Sequence, residues 1–251
     1  MNILRSEWIK LWTLTVNKVL LGLAVVFTIV VTVLTTTLGD GIRNSEDLAN
    51  LIGGLMLLSA LLFGVVAAIG ITGEFNYNTI RPTFAAQPVR MKPLLGKLTV
   101  HLVVTAVLTV VILGASWIGG SVIVGDEGTF PFWDTFNIPI KEAMLGTGLL
   151  AIGLTLLGFG LGMVIRNTPA AVSLLLLWPL LGESIIRGLF SALDKDDWAK
   201  YLPYFEGLSM GFVDRTGDDE VMSRLGGGIY FFAWIAAITI FGLIRTERAD
   251  A

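Results

Sequence analysis

Six long apolar stretches run through this chain: Val19–Leu38, Leu48–Ile71, Leu98–Val124, Ala143–Ile165, Ala170–Ile186 and Leu225–Ile244. A helix needs about 20 apolar residues to cross a hydrocarbon core of ~30 Å. The apolar fraction of 54 % and the charged fraction of 15 % exceed what a soluble core of 251 residues would hide. The stretches are continuous, without the alternating pattern of a membrane barrel. A spanning helix satisfies its own backbone hydrogen bonds. The expected fold is therefore all-α: a polytopic membrane protein forming a single transmembrane domain over residues 1–251.

The first stretch is longer than a signal-peptide core, and no small-residue cleavage site follows it. The chain has no cysteine, which excludes disulfides and thiolate metal sites. Basic residues belong on the cytoplasmic side. With both termini inside, the inner segments hold ten Lys and Arg against four acids, and the outer segments seven against sixteen. The 72–97 loop is the strongest vote, with Arg81, Arg90, Lys92 and Lys97. The acidic net charge of −3 thus sums a basic face and an acidic face, and nothing favours nucleic acid.

Two inner elements carry further information. In residues 1–18, Leu4, Trp8, Leu11 and Trp12 share one helical face, with Arg5, Glu7 and Lys10 off it. That pattern suits a helix lying in the membrane interface. The loop 72–97 is long for a helix–helix connection, where 2–8 residues is usual. It mixes Phe75, Tyr77, Ile80 and Phe84 with charge and is broken by Pro82, Pro88 and Pro93. Such a surface suits docking of another protein, and equally a solvated loop.

The segments Arg5-Ser-Glu-Trp-Ile-Lys-Leu11, Thr72-Gly-Glu-Phe75, Asn78-Thr-Ile-Arg81, Gln87-Pro-Val-Arg90 and Leu95-Gly-Lys97, with Leu202–Pro203 in a long outer segment, carry a likeness over the whole chain. It resembles a permease subunit of a bacterial, especially actinobacterial, type-2 ABC exporter. Pro82 departs from that family's pattern. The resemblance implies that Leu4–Leu14 is a connecting helix and Gly73–Arg90 the coupling segment. Glu74, Phe75, Thr79, Ile80, Arg81, Phe84 and Arg90 would then face a separate ATPase subunit, which binds ATP and Mg. It also implies a second permease, as a homodimer or heterodimer, in the bacterial cell membrane. The chain itself lacks a phosphate loop: before Gly96–Lys97, Met91 stands where the first glycine should be. No cofactor and no catalytic residue is expected in this chain.

Inside the spans, Glu183 is the sharpest residue, because an ionisable group in hydrocarbon costs ~2.5–3.5 kcal/mol and usually faces protein or water. It precedes Arg187 by four residues, the order that pairs best on a helix, so an ion pair or an outer gate is expected there. Pro179 should kink the fifth span. His101, the only histidine, reads as a packing residue. Ala60-x3-Gly64-x3-Ala68 and Gly158-x3-Gly162 are faces that let helices approach closely. The expected function is a permease moving an amphipathic substrate (drug, peptide, lipid or glycan). The alternatives are an accessory or regulatory membrane subunit and a self-contained secondary transporter or channel. An intramembrane hydrolase lacks a nucleophile–base pair in the spans.

Overall fold

The computed structural model describes residues 3–39, 42, 44–79, 91–124, 138–213 and 222–249. Every regular element among them is helical. A short α1 (Ile3–Thr13) leads into α2 (Thr15–Leu38) and α3 (Ser45–Asn76). Next come α4 (Met91–Val124) and α5 (Ile138–Ile165). The fifth span is composite: α6 (Thr168–Leu177), a π-helical turn (Trp178–Gly182) and α7 (Glu183–Ala192). A 3-10 turn (Asp196–Tyr201), α8 (Pro203–Ser209) and α9 (Arg224–Ala249) complete the chain. Six helices are long and apolar enough to cross a membrane, so the protein is an all-α polytopic membrane protein.

These helices outrun the apolar stretches, because polar caps carry them beyond the hydrocarbon. Asn44 accepts a hydrogen bond from the Asp47 amide at the start of α3, and Asn167 accepts from the Ala170 amide at the start of α6. At the other end of α3, Asn78 turns into the left-handed region (φ 52°). The Thr79 amide then donates to the Glu74 carbonyl and the Asn78 amide to the Phe75 carbonyl, a Schellman closure. A helix that alone reads as featureless apolar sequence is thus stopped at a defined residue.

The fifth span reads from sequence as short and kinked at Pro179. In the structure its helical course runs from Thr168 to Ala192. Pro179 has no amide to donate, and the chain accommodates this with a π turn rather than a break.

The centre of the bundle is the α3–α5 pair, the most deeply buried of the spans. Gly64 and Gly158 face each other there. A methyl group on Gly64 would lie 2.6 Å from the Leu154 carbonyl oxygen, and one on Gly158 would collide with the Gly64 carbonyl. Leu61, Phe63, Leu150, Leu154 and Phe159 fill the space around this contact and are buried. The two small-residue faces expected to pack closely therefore meet one another. Hydroxyls cross-link the rest: Thr28 with Ser59, Ser59 to the Ala24 carbonyl, and Thr105 with Thr155.

Replacing Gly158 with alanine should overpack this contact and destabilise the fold by about 1–3 kcal/mol. Gly54→Ala, where an added methyl meets nothing within 4 Å, is the matched control. Thermal unfolding in detergent should separate the two, and equal midpoints would remove the α3–α5 contact from its central place.

Candidate functional site

Two ends of the bundle are defined by chain topology. The basal end carries α1, the C-terminus of α3, the N-terminus of α4 and the α5–α6 turn. The far end carries the C-termini of α2, α4 and α7.

At the basal end, α1 does not lie as a simple amphipathic surface helix. Leu14 alone is non-helical (φ −75°, ψ 117°) between α1 and α2, and the chain changes direction there. Leu4 and Trp8 are half exposed, Trp12 is partly buried, and Leu11 is core. Glu7 shares the buried face with Leu11, one turn before it, and only 4 % of its side chain is exposed. Ile3, a turn earlier, packs against Gly96 of α4. The face read as charged and outward is therefore divided: Arg5 points out, and Glu7 points in.

Glu7 meets two lysines and, through them, a second acid. Its Oε1 is 2.6 Å from Lys10 Nζ and its Oε2 is 2.6 Å from Lys97 Nζ. Both lysines also reach Glu74 Oε1, each at 3.0 Å. Two acids and two bases thus close a neutral ring joining α1, the last turn of α3 and the first turns of α4. Lys97 and Glu74 are nearly as buried as Glu7, whereas Lys10 keeps one side toward solvent. Burial opposes ionisation of Glu7, but Lys97 and Lys10 outweigh it and hold its carboxyl below the ordinary value of 4.5. Burial likewise opposes the charge on Lys10, and its bonds to Glu7 and Glu74 raise it above the ordinary 10.5.

His101 lies one turn beyond Lys97. Its Nδ1 is 2.9 Å from the Lys97 carbonyl, and its ring packs on Gly70, where a methyl would come within 2.6 Å of Nε2. It is a packing residue of the α3–α4 contact. Further ties complete the basal end. Asn76 donates to the Thr168 hydroxyl, Thr72 bonds the same hydroxyl, and Arg245 donates to the Val164 carbonyl.

Of the residues assigned by resemblance to an ATPase-facing surface, Glu74 belongs to the ring. Phe75 lies under the Arg166 guanidinium, 4.8 Å from the ring centroid, and Thr79 closes the α3 cap. Ile80, Arg81, Phe84 and Arg90 lie outside the described residues.

At the far end, Glu183 is buried against α8. It accepts hydrogen bonds from the amides of Tyr204 (3.0 Å) and Phe205 (2.8 Å) and from the Trp178 indole (3.3 Å). Arg187 lies over the Phe205 ring, 4.3 Å from its centroid. Sequence spacing pointed to a partner four residues along the helix, whereas the backbone donors come from a segment some twenty residues later. The outer segment folds into the end of the bundle: Tyr204, Glu206, Gly207 and Met210 are buried. Glu206 accepts from the Met222 amide, and Arg224 donates to the carbonyls of Met210 and Phe212. Among the described residues, no group of three His, Asp or Glu could hold a metal ion.

The chain matches no protein-family model and no curated protein.

Removing one partner of a buried pair leaves a charge unpaired, at a cost of about 3–5 kcal/mol. Lys97→Met should therefore lower stability by that order and free α1, while Lys18→Met, outside the ring, should not; thermal unfolding of both variants checks this. The ring should also be pH-sensitive. The depressed Glu7 pKa contributes stability that is present above 4.5 and lost as pH falls through the lower folded value. The raised Lys10 pKa contributes stability that is present below 10.5 and lost as pH rises through its folded value. Spin labels at Arg5 and Tyr77 should hold a fixed separation at neutral pH and broaden as pH falls below 4.5 through the lowered Glu7 value. A distribution unchanged into strong acid would show that α1 docks through its apolar contacts alone.

Proposed function

We propose that the chain is the membrane-spanning permease subunit of an ATP-driven exporter, powered by a separate ATPase chain. The observation that carries this reading is the four-charge ring at the basal end. It fastens both roots of the long 77–90 segment, the end of α3 and the start of α4, to α1. A connecting loop that only linked two helices would not need its roots locked to a third element. A segment that receives force from a docked subunit does, because a loose root would absorb the displacement. The resemblance of the Arg5–Leu11 and Thr72–Lys97 segments to exporter permeases supports the same reading, as does the missing phosphate loop.

On this reading, the coupling segment Gly73–Arg90 seats in the ATPase, with Arg81 and Arg90 as polar contacts and Phe75, Ile80 and Phe84 as apolar anchors. Closure of the ATPase on ATP displaces the segment. The ring passes the displacement to α1 and α4, and a second permease copy supplies the other half of the path. The substrate is an amphipathic compound, and the membrane is the bacterial cell membrane with both termini inside.

Mild-detergent purification from the native host should bring down a subunit bearing a phosphate loop. In nanodiscs containing both chains, Arg81→Glu combined with Phe84→Ala should reduce permease-stimulated ATP hydrolysis to the basal rate without shifting the melting temperature of the bundle. Unchanged stimulation would remove the assignment of this segment. A chain that purifies alone under conditions preserving a known permease–ATPase complex would favour an accessory subunit.

A further inference from the structure

At the far end, a cavity of about 450 Å³ lies between α5, the fifth span and α9, and the start of α8 closes it. Small-molecule sites commonly span about 300–1,000 Å³. Most of its wall is aliphatic. Five aromatic side chains join that wall, Trp178, Tyr201, Tyr204, Phe231 and Trp234, and Glu183 is the single charged residue among those lining it. Arg187 does not line this cavity. It belongs to a smaller one of about 240 Å³, which shares the Glu183 and Tyr204 wall.

Two independent observations point to a ligand with a polar or charged group. The first is the Tyr204 hydroxyl, which is buried and has no hydrogen-bond partner among the described residues. A buried tyrosine hydroxyl usually finds one. The second is the electrostatic character of the wall. Aromatic faces carry the negative part of the ring quadrupole, and rings of this kind attract cations. Glu183 is the one charged residue lining the cavity, and Lys200 stands outside the lining with its ammonium 5.8 Å from the Tyr201 ring centroid, so the lining itself disfavours an anion. A plain acyl chain would fill the volume but leave the Tyr204 oxygen facing hydrocarbon. The π turn Trp178–Gly182 lies in this wall, which Trp178, Pro179 and the following Glu183 line.

We propose that this cavity binds a lipophilic monocation, with its apolar body against the aliphatic wall and its charge among the rings, facing Glu183 and the Tyr204 oxygen. The proposal deepens the exporter reading by naming a substrate class, and it rests on that reading only for the transport step. Binding is a property of this chain alone, so failure here leaves the exporter assignment standing, and the reverse also holds.

The test uses the purified full chain in phosphatidylglycerol nanodiscs, with radiolabelled tetraphenylphosphonium as the probe and empty discs subtracted. Saturable binding of about one probe per chain is expected. Tetraphenylborate, of the same shape and opposite charge, should not compete. Trp234→Leu and Tyr201→Leu change two half-exposed rings at the rim and should each weaken binding about tenfold, in line with the strength of a desolvated cation–π contact. Glu183→Gln should weaken it further. Because that carboxylate also anchors α8, the rim variants decide the matter if Glu183→Gln fails to fold. Equal competition by tetraphenylborate, or unchanged affinity in both rim variants, would overturn the proposal. Binding that vanishes in phosphatidylcholine discs would assign the cavity to a lipid headgroup and overturn it as well.

Discussion

Four charges at the base of a membrane protein, three of them buried, set the conditions for the rest of this structure. Taking a carboxylate and an ammonium out of water carries a penalty of several kcal/mol per ion, and mutual attraction offsets it only with close, fully engaged geometry. Glu7, Glu74, Lys10 and Lys97 reach that geometry because each acid meets both bases. Such a ring closes only when α1, α3 and α4 stand in one register. It is a weak source of stability beside an apolar contact of equal volume, but it is selective. A slip of one residue along any of the three helices would leave a charge without a partner.

The two ends of the bundle use opposite means to hold buried acids. At the base, side-chain cations neutralise them. At the far end, Glu183 is held by backbone amides from the outer segment. Amides are fixed dipoles that hold Glu183 without adding charge, whereas the lysines at the base cancel the charges of Glu7 and Glu74. This difference follows from where the basic residues lie along the chain. Lysine and arginine cluster around the 72–97 loop, whereas the outer segment has acids in excess.

The fold was legible in the sequence because the bilayer leaves few options: a continuous apolar run of this length has to be a helix. The Gly64 and Gly158 faces were legible for a related reason, since small residues at four-residue spacing have few uses besides close approach. The charge ring was not. Glu7 was read by its unfavourable transfer to hydrocarbon, which placed it off the apolar face of α1. The signal that could have found it is the Ile3, Glu7, Leu11 spacing, which puts the acid on the buried stripe, together with Glu74 and Lys97 as opposite charges at the two roots of one loop. Likewise, Arg187 drew attention as the partner of Glu183 because local pairs are visible in a sequence, while donors from Tyr204 and Phe205 depend on how the outer segment folds back.

What connects the two ends is the stiffness of the α3–α5 contact. Both helices run from the basal end to the far end, and the Gly64–Gly158 approach leaves no side-chain layer between their backbones to yield. Interiors packed at this density shift as rigid bodies rather than deform continuously. At the N-terminus of α3, Asn50 accepts the Val213 amide, and Thr147 of α5 contacts the Gly211 carbonyl. Those bonds hold the outer segment that buries Glu183 and closes the aromatic cavity. The fifth span, by contrast, is interrupted by the π turn and is among the least buried of the spans. The bundle thus sets one closely packed pair against one span that is interrupted where it lines the cavity.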